Sequence, residues 1–365
     1  MSASAPLPVV LVGTGAMGRS WIRMLADSST ARIVGLVDLD LELAARVASE
    51  EGLSDVIIGE SVADVADESG AHAVINVTVP QAHRPVNESA LRHGLPVLCE
   101  KPISGTLPEA LQQVALAEVT GKLLMVSQSR RYFNNLRALR DSVAGLGQIS
   151  TITTEFFHSD HEPGFREQME HPLLVDMSIH HFDAMRYITD DVPVAVRGSA
   201  WNPSWSWFAG CASAAAEFEL ASGARYVYSG SRATPGMSTS WNGSWRIQAE
   251  HGAAKWDGDN APQVDPPNPA PGGIVDGPEQ MAGALEEFRE AIELGTTPQN
   301  EIHANIMSLA MVEATVVSAA NQGERIMIAD LIEQAYAEAI ATESRDDVRA
   351  RLVSWGSAAA GLAAR

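Results

Sequence analysis

The sequence predicts two domains, an α/β domain followed by an α+β domain. In the first third of the chain, short apolar segments alternate with helical patterns, which is typical of a doubly wound parallel sheet. Further along, the strand candidates are longer, and turn residues such as Ala221-Ser222-Gly223 separate two of them, which favours an antiparallel sheet. A length of 365 residues also exceeds what one ordinary hydrophobic core holds together.

The strands predicted for the first domain are apolar on both faces, as buried parallel strands are. They are Pro8–Val12, Arg32–Val37, Val56–Ile58, Ala73–Val77, Pro96–Cys99 and Leu123–Val126. The helices predicted between them are Met17–Ala26, Leu41–Glu51, Val62–Glu68, Ala82–His93 and Leu107–Val119. We place the domain boundary so that residues 1–128 form the first domain and residues 129–365 form the second.

The second domain is predicted to combine a sheet with helices. Its strands are Ile149–His158, Val194–Trp201, Ala212–Leu220, Ala224–Ser229, Ser244–Glu250 and Ala253–Trp256. Helices are predicted over Leu174–Ile188, Glu279–Leu294 and Glu301–Ala320, and again in the Ala-rich tail. Residues 261–278 are rich in Pro and Gly, which predicts a loop.

Composition and charge limit the classes of partner. The chain has 25 Lys and Arg against 46 Asp and Glu, a formal net charge of −21, so its field repels nucleic acid and anionic membrane surfaces. We expect neither as a partner. Only Cys99 and Cys211 are present, which gives no disulfide framework and favours a reducing cytoplasm. The N-terminus lacks a signal-peptide pattern, and no apolar run is expected to reach membrane-spanning length.

A glycine-rich turn joins the first predicted strand to the first helix. Gly13, Gly15 and Gly18 form a GxGxxG pattern in the strand–turn–helix context that a dinucleotide site requires. The first glycine permits a tight turn, the second lets the backbone approach a pyrophosphate, and the third allows close packing of helix and strand. The phosphates are then expected on the N–H groups of Ala16 and Met17 at the helix N-terminus.

Asp38 strengthens this interpretation, since it ends the second strand, 20 residues after Gly18. A carboxylate there accepts hydrogen bonds from the adenosine ribose hydroxyls and repels a 2′-phosphate. No Arg or Lys follows within residues 37–42, so we favour NAD over NADP. The alternative is a glycine turn beside an unrelated surface carboxylate.

Two further segments contain candidate catalytic residues. The fifth strand ends in Glu100-Lys101-Pro102, and ligands bind beyond the carboxyl ends of strands in a doubly wound sheet. Lys101 there can hydrogen-bond a substrate oxygen and lower the pKa of a hydroxyl, although a lysine before a proline turn can also be a plain surface residue. On the helix predicted from Leu174, Asp176 and His180 are four residues apart and share one face, which suits His180 to accept a proton.

The residues Asp176 and His180 also allow interpretations other than catalysis. Asp176 and His180 can be a helix cap and a core histidine. They can also begin a metal site that His158, Asp160 and His161 would join, but such a site needs further ligands, and we predict no metal.

Together these motifs resemble the glucose–fructose oxidoreductase / inositol dehydrogenase / MocA (Gfo/Idh/MocA) family. The resemblance includes Pro80 and His83 and covers most of the chain. It implies an N-terminal Rossmann domain and a C-terminal α+β domain with a large, open, mostly antiparallel sheet, whose outer face forms homodimer or homotetramer contacts. It implies that Lys101, Asp176 and His180 are catalytic, with His180 as acid–base.

The same resemblance assigns further cofactor contacts, which are Thr78, Pro80, His83, Glu100 and Lys101. The sequence departs from the family pattern where many relatives have glycines before the helix aspartate. His171-Pro172-Leu173-Leu174-Val175 stands there instead, which puts the substrate preference in doubt but leaves the chemistry unaffected.

Substrate contacts are predicted for Arg130, for His158 and Asp160 at a strand end, and for His180 itself. The alternative for His158 and Asp160 is an exposed polar strand end, and Arg131 is expected only to tie the domains together. Six of the eight tryptophans fall in residues 201–256, and of these Trp241 and Trp245 are the predicted sugar platforms. Aromatic faces pack on sugar rings, but they also fill sheet faces and oligomer interfaces.

These predictions point to one reaction, hydride transfer between NAD and a secondary alcohol of a sugar, glycoside or inositol. Three alternatives stay open. One is an NAD-dependent glycosidase or deglycosylating enzyme that oxidises its substrate only transiently. Another is a non-catalytic NAD-binding regulator, and the third is an enzyme that works mainly as a reductase.

Overall fold

The computed structural model describes residues 5–159, 161, 164–266 and 277–363. The chain forms two compact units, the first built from Met1–Ser129, Pro278–Ile306 and Ala335–Arg365, and the second from Arg130–Gly277 and Met307–Gln334. Two segments of the range 129–365, which was predicted to form the second domain, return to the first unit. An amphipathic helix pattern shows that a helix covers a sheet but does not show which sheet, so the sequence could not reveal this return.

The first unit begins with alternating strands and helices. Its strands are β1 (Leu7–Val12), β2 (Ala31–Val37), β3 (Ile57–Gly59), β4 (Ala73–Asn76), β5 (Val97–Glu100) and β6 (Leu124–Ser127). Its helices are α1 (Ala16–Ala26), α2 (Leu41–Glu50), α3 (Val62–Ser69), α4 (Pro80–Arg92) and α5 (Leu107–Thr120). Each lies within two residues of its predicted bounds, because apolar strands bounded by helix caps such as Asp40 and Ser61 give strong local signals.

All six strands of this sheet are parallel, in the order β3-β2-β1-β4-β5-β6. This is the doubly wound order of a Rossmann domain, with the change of direction between β1 and β4. Val9, Val10 and Leu11 in β1 are fully buried, as a central strand with helices on both faces requires. The carboxyl ends of β1, β2, β4 and β5 therefore share one edge, which is where the chain carries its motifs.

The second unit starts with α6 (Asn134–Ala144), a helix that the sequence analysis missed. Its sheet has the order β13-β12-β11-β7-β10-β9-β8-β14 and is antiparallel except for the pair β7 and β10. The strands are β7 (Ile149–Phe157), β8 (Pro193–Trp201), β9 (Ser213–Leu220), β10 (Arg225–Ser231), β11 (Ser244–Ala249), β12 (Gly252–Trp256), β13 (Gln263–Asp265) and β14 (Ile326–Met327). The mostly antiparallel sheet is thus confirmed.

Two predictions for this unit need correction. The helix predicted over Leu174–Ile188 is a π-helical turn at Pro172–Ser178 followed by α7 (Ile179–Thr189). Strand β13 lies in the predicted 261–278 loop, and residues 267–276 of that loop lie outside the described residues. Helix α7 covers the inner sheet face, where the ring of Phe182 packs against those of Phe218 and Tyr228 at centroid distances of 4.9 and 5.2 Å.

The C-terminal part of the chain is helical: α8 (Gln280–Leu294), α9 (Ile302–Ala320), α10 (Ile328–Thr342), α11 (Asp346–Trp355) and α12 (Ala358–Ala363). Helix α11 packs on α5, with an ion pair of 2.9 Å from Arg351 to Glu118. Helix α9 is long and apolar enough to cross a membrane, which corrects the expectation that no such run exists. Because 67% of its most apolar window is buried in the fold, α9 is a core helix.

Candidate functional site

The glycine turn after β1 has the backbone geometry that each glycine was predicted to provide. Gly13 has a φ of +100°, and a Cβ there would lie 3.1 Å from the backbone of Val77 and Thr78. A Cβ on Gly18 would lie 2.2 Å from the Gly13 carbonyl oxygen, so helix α1 can approach β1 only without a side chain. Beside Gly15 nothing lies within 4 Å, so the start of α1 faces open space.

Asp38 is held beside this turn by Thr14. The Thr14 backbone N–H and hydroxyl both donate to one carboxylate oxygen of Asp38, at 2.7 and 2.6 Å, and the Asp40 N–H donates to the other at 3.1 Å. Partial burial alone raises the pKa of Asp38, but these hydrogen bonds outweigh burial and lower it. The glycine turn itself thus fixes the position of the Asp38 carboxylate, which is ionised. The sequence analysis missed Thr14, although it occupies the variable position between two motif glycines.

Exposed apolar side chains follow the same strands. Met17 is 40% exposed, Leu39 87% and Val79 50%, and they come just after β1, β2 and β4 respectively. Apolar surface at this edge is suited to cover a flat base or ribose. Open space at a helix N-terminus, an ionised acid and these apolar residues together fit a dinucleotide.

Thr78 and His83 form a buried connection between two loops. One ring nitrogen of His83 lies 2.8 Å from the Pro102 carbonyl oxygen and the other 3.0 Å from that of Thr78. The Thr78 hydroxyl donates to Asn76 at 2.7 Å. His83 is only 1% exposed, and burial lowers its pKa. His83 therefore connects the two loops, and Pro80 starts α4. Their contacts with the cofactor stay predictions.

Lys101 follows a glutamate whose carboxylate is held by hydrogen bonds. The carboxylate of Glu100 is buried and accepts hydrogen bonds from the Trp21 indole N–H at 3.0 Å and from the Lys101 backbone N–H at 3.2 Å. Burial raises the pKa of Glu100, against the opposing effects of Lys101 and Trp21. Trp21 belongs to α1, so the glycine turn and the Lys101 loop are braced by one hydrogen bond. Glu100 thus supports Lys101, and nothing in the sequence pattern identified Trp21 as its partner.

In the second unit, Asp176 is fixed by two arginines. Its Oδ2 atom lies 2.8 Å from Arg166 and 2.7 Å from Arg232. Asp176 is in the π-helical turn and His180 is in the first turn of α7, so the predicted spacing of one regular α-helix does not apply to the pair. The two arginines are 10 and 56 residues from Asp176, and no local pattern could have found them.

The tandem histidines of α7 have different surroundings. His181 is fully buried, and its Nε2 atom lies 3.3 Å from the Trp241 carbonyl oxygen. Burial, helped by the charge of Arg130, holds the pKa of His181 well below its ordinary value. His181 is therefore a neutral core residue, whereas His180 is 9% exposed. Of the two, His180 is the one with access to solvent.

Both arginines after β6 have structural partners. Arg130 donates to the Trp241 carbonyl oxygen and, at 3.1 Å, to Asn242, and burial lowers its pKa to about 10. Arg131 makes two hydrogen bonds of 2.7 Å to Asp183. The guanidinium of Arg130 therefore holds the loop that carries Trp241, and its contact with a substrate stays a prediction.

The remaining predicted substrate residues divide between surface and core. The His158 ring stacks on Trp241 at 4.0 Å, and Trp241 stays 40% exposed. Trp245 is only 2% exposed and donates its indole N–H to the Asn242 carbonyl oxygen at 2.7 Å, so it offers far less surface than Trp241, and its role at the sugar stays a prediction. Asp160 lies outside the described residues. Within the described part of the chain, no three His, Cys, Asp or Glu residues are arranged to hold a metal.

Comparisons with known proteins agree with these features. Residues 7–128 match the oxidoreductase family GFO/IDH/MocA, NAD-binding Rossmann fold, and residues 133–255 match the GFO/IDH/MocA C-terminal domain. An inositol 2-dehydrogenase from Streptomyces avermitilis is 34% identical over 205 residues, 54% of this chain and 57% of the relative. A 1,5-anhydro-D-fructose reductase from Ensifer adhaerens is 28% identical over 52% of this chain and 60% of the relative. The matches thus span less than two thirds of these relatives.

Among solved structures, an inositol dehydrogenase homologue from Azotobacter vinelandii, complexed with NADH and myo-inositol, has the same fold. Its TM-score is 0.72 at 18% identity, covering 89% of this chain and 98% of that one. Fold, site geometry and both domain matches lead to one conclusion: the chain belongs to the Gfo/Idh/MocA oxidoreductase family.

Proposed function

We propose that the protein transfers a hydride between NAD and a secondary alcohol of a sugar, glycoside or inositol. The observation that carries this proposal lies within the first unit. There, one sheet edge combines a glycine turn, an ionised Asp38 and a lysine braced by Glu100. A dinucleotide site alone needs no such lysine, whereas alcohol oxidation needs a group that stabilises negative charge on the reacting oxygen.

The preference for NAD over NADP rests on Asp38. Its lowered pKa keeps it anionic, and Thr14 fixes it beside the turn. A fixed negative charge favours ribose hydroxyl groups as partners and repels a phosphate at the same position. Leu39 follows it and brings no compensating positive charge.

The proton chemistry is assigned to residues of this chain. Bound NAD supplies the hydride acceptor. Lys101 donates a hydrogen bond to the reacting oxygen and stabilises its developing charge. His180 takes the proton of the alcohol, or returns it in the reductive direction. Asp176 supplies a carboxylate whose charge is held by Arg166 and Arg232.

The substrate class and the assembly are part of the same proposal. Trp241, backed by His158, offers an exposed aromatic face that suits the apolar side of a sugar ring. The outer face of the second unit's sheet is proposed to form a homodimer or homotetramer contact. The cytoplasm remains the predicted compartment.

The test is NADH formation across inositols, free sugars and glycosides, with NAD and NADP in parallel. Lys101→Ala is expected to lower kcat/KM by about a hundred- to a thousandfold, the usual cost of removing one group that stabilises charge on the reacting oxygen. NAD affinity should change little, because Asp38 and the glycine turn are intact. Lys122→Ala, at an exposed lysine of the same unit, is the control and should behave as wild type.

Other results would favour the alternatives. Tight NAD binding without turnover on any polyol would indicate the regulator. Release of an aglycone without net NADH would indicate the deglycosylating enzyme. Equal turnover by Lys101→Ala and wild type would overturn the assigned role of Lys101.

A further inference from the structure

Exposed aromatic side chains of the second unit gather at one end of its sheet. Strands β7, β8 and β10 run in the same direction, and Phe165 and Trp205 lie in the segments that follow β7 and β8. Trp241 precedes the antiparallel strand β11, so it belongs to the same end. Phe165 is 55% exposed, Trp205 66% and Trp241 40%. Apolar surface concentrated in this way marks a binding site.

Trp205 is both exposed and fixed. Its indole N–H donates to the Ala233 carbonyl oxygen at 2.9 Å, so the ring is anchored while most of its surface faces solvent. Next to it, Trp207 packs against a small buried cluster of Phe208, Ala212 and Ala233. The ring of His161 stacks on Trp207 at a centroid distance of 4.7 Å. We call Trp205, Trp207 and His161 the aromatic shelf.

The aromatic shelf shares its supports with Asp176. Arg232, the neighbour of Ala233, places its guanidinium 2.7 Å from Asp176 and over the ring of Phe208 at 5.5 Å. The backbone of the shelf loop is also tied to the segment before Asp176, since Ala209 N–H donates to the Glu167 carbonyl oxygen at 2.8 Å. One arginine thus connects the shelf to the candidate catalytic carboxylate.

We infer that the aromatic shelf binds the second ring of a glycoside, the uncharged sugar or aryl group linked to the sugar that is oxidised. This inference rests on the proposed function and extends its site beyond a single ring. Indole faces pack well against aryl rings and the C–H faces of sugars. The two arginines near the shelf, Arg166 and Arg232, are engaged by Asp176, and the ring of His161 lies 2.8 Å from the Glu167 carboxylate. Because each of these cationic groups already faces a carboxylate, a nucleotide or another phosphate-linked group is disfavoured there.

The test compares two glycosides that differ only in the second group, methyl glucoside and 4-nitrophenyl glucoside. Trp205→Ala is expected to lower kcat/KM for the aryl glycoside by about tenfold and for the methyl glycoside by less than about twofold. Trp205→Phe keeps an aromatic face and should retain most of the wild-type preference. Since Trp205 is largely exposed, neither variant should unfold the protein, which circular dichroism checks.

Trp201→Ala is the matched control, because Trp201 is 46% exposed and alternates along β8 with Arg197 and Ser199 on the opposite face from buried Gly198. It should change neither glycoside. If Trp205→Ala lowers kcat/KM equally for both glycosides, or for neither, the proposed role of the aromatic shelf is overturned. A change of oligomeric mass in Trp205→Ala with unchanged selectivity would also overturn it, since the surface would then be a contact between copies.

Binding measurements separate this inference from the proposed function. Dissociation constants of both glycosides are measured by ligand-observed NMR with wild type and Trp205→Ala in the presence of NADH. If wild type oxidises neither glycoside but loses aryl affinity on Trp205→Ala, the shelf stands and the proposed reaction fails. If oxidation occurs and aryl affinity is unchanged in the variant, the reaction stands and the shelf fails.

Discussion

The carboxyl edge of the first sheet and the Asp176 end of the second sheet are built in different ways. At the first, Gly13 and Gly18 are required by contacts between backbone atoms, and Thr14 fixes Asp38 from within the same turn. At the second, Asp176 depends on Arg232, 56 residues away. A site that depends on backbone sterics is therefore determined by residues close together in the sequence. A site that depends on ion pairs between distant residues is determined by the tertiary structure.

Replacing the arginines that pair with Asp176 tests how the site in the second unit is held together. We expect it to give the largest loss of activity among these predictions. Arg232 is buried with 8% of its side chain exposed, whereas Arg166 is 40% exposed. Arg232→Gln leaves a buried carboxylate partly uncompensated and is expected to lower kcat/KM by about a hundredfold, a loss typical of breaking a desolvated charge pair. Arg166→Gln should cost about threefold, since an exposed pair is screened by water.

Steady-state kinetics at fixed NAD, with NAD affinity measured separately, decides this prediction. NAD affinity should be unchanged in both variants, because the glycine turn belongs to the other unit. Equal losses for Arg166→Gln and Arg232→Gln would show that burial of the pair is not what matters.

Replacing Gly18 or Gly15 by alanine tests whether backbone sterics determine the glycine turn of the first unit. Gly18→Ala places a Cβ 2.2 Å from the Gly13 oxygen and should destabilise the protein by about 1–3 kcal/mol, the usual cost of overpacking. Gly15→Ala fills open space, so it should cost only about 0.5 kcal/mol as a change of helix cap. It should nevertheless weaken NAD binding by about tenfold, because the space beside the helix N-terminus is no longer open.

Thermal unfolding without cofactor and calorimetric titration with NAD measure the two quantities. The prediction requires that Gly15→Ala weakens NAD binding strongly while it lowers the free energy of unfolding only slightly. A Gly15→Ala protein that binds NAD as wild type does would contradict the assigned role of that glycine.

Replacing Asp38 should affect folding less than replacing Gly18 does, and its effect should depend on pH. Its folded-state pKa is lowered, so its contribution to stability is present above the unfolded pKa and is lost as pH falls through the folded pKa. Asp38→Asn should therefore be less stable than wild type by about 1 kcal/mol at neutral pH, the worth of a hydrogen bond to a charged group at a partly exposed site.

That difference should shrink once the pH falls below about 4, the ordinary range of an aspartate. Urea unfolding at several pH values measures it. Asp55→Asn, at an exposed carboxylate of the same unit, is the control and should show no such trend. A constant difference at every pH would mean that the charge of Asp38 does not contribute.

Several residues of the second unit have surroundings that the sequence did not specify, for a common physical reason. Trp245 and Trp241 lie in one segment of sequence, yet the sheet buries the first and leaves the second exposed. Arg130 donates a hydrogen bond to the backbone carbonyl of Trp241, which is 111 residues away in the sequence. Asp176 and His180 have helical spacing, but the chain adopts a π-helical turn between them. Which side chains face solvent depends on how the strands are paired, and local patterns do not specify that pairing.

The sequence by itself determined the parallel sheet, the glycine turn, the position of Asp38 and the placement of Lys101 at a strand end. Each follows from contacts within a few residues or from the apolar character of a strand. Only the tertiary structure decided that Trp21 braces Glu100, that Arg232 holds Asp176, and that helices α8, α11 and α12 belong to the first unit. These features join residues far apart in the chain, and their free energy depends on burial and charge pairing, which exist only in the folded protein.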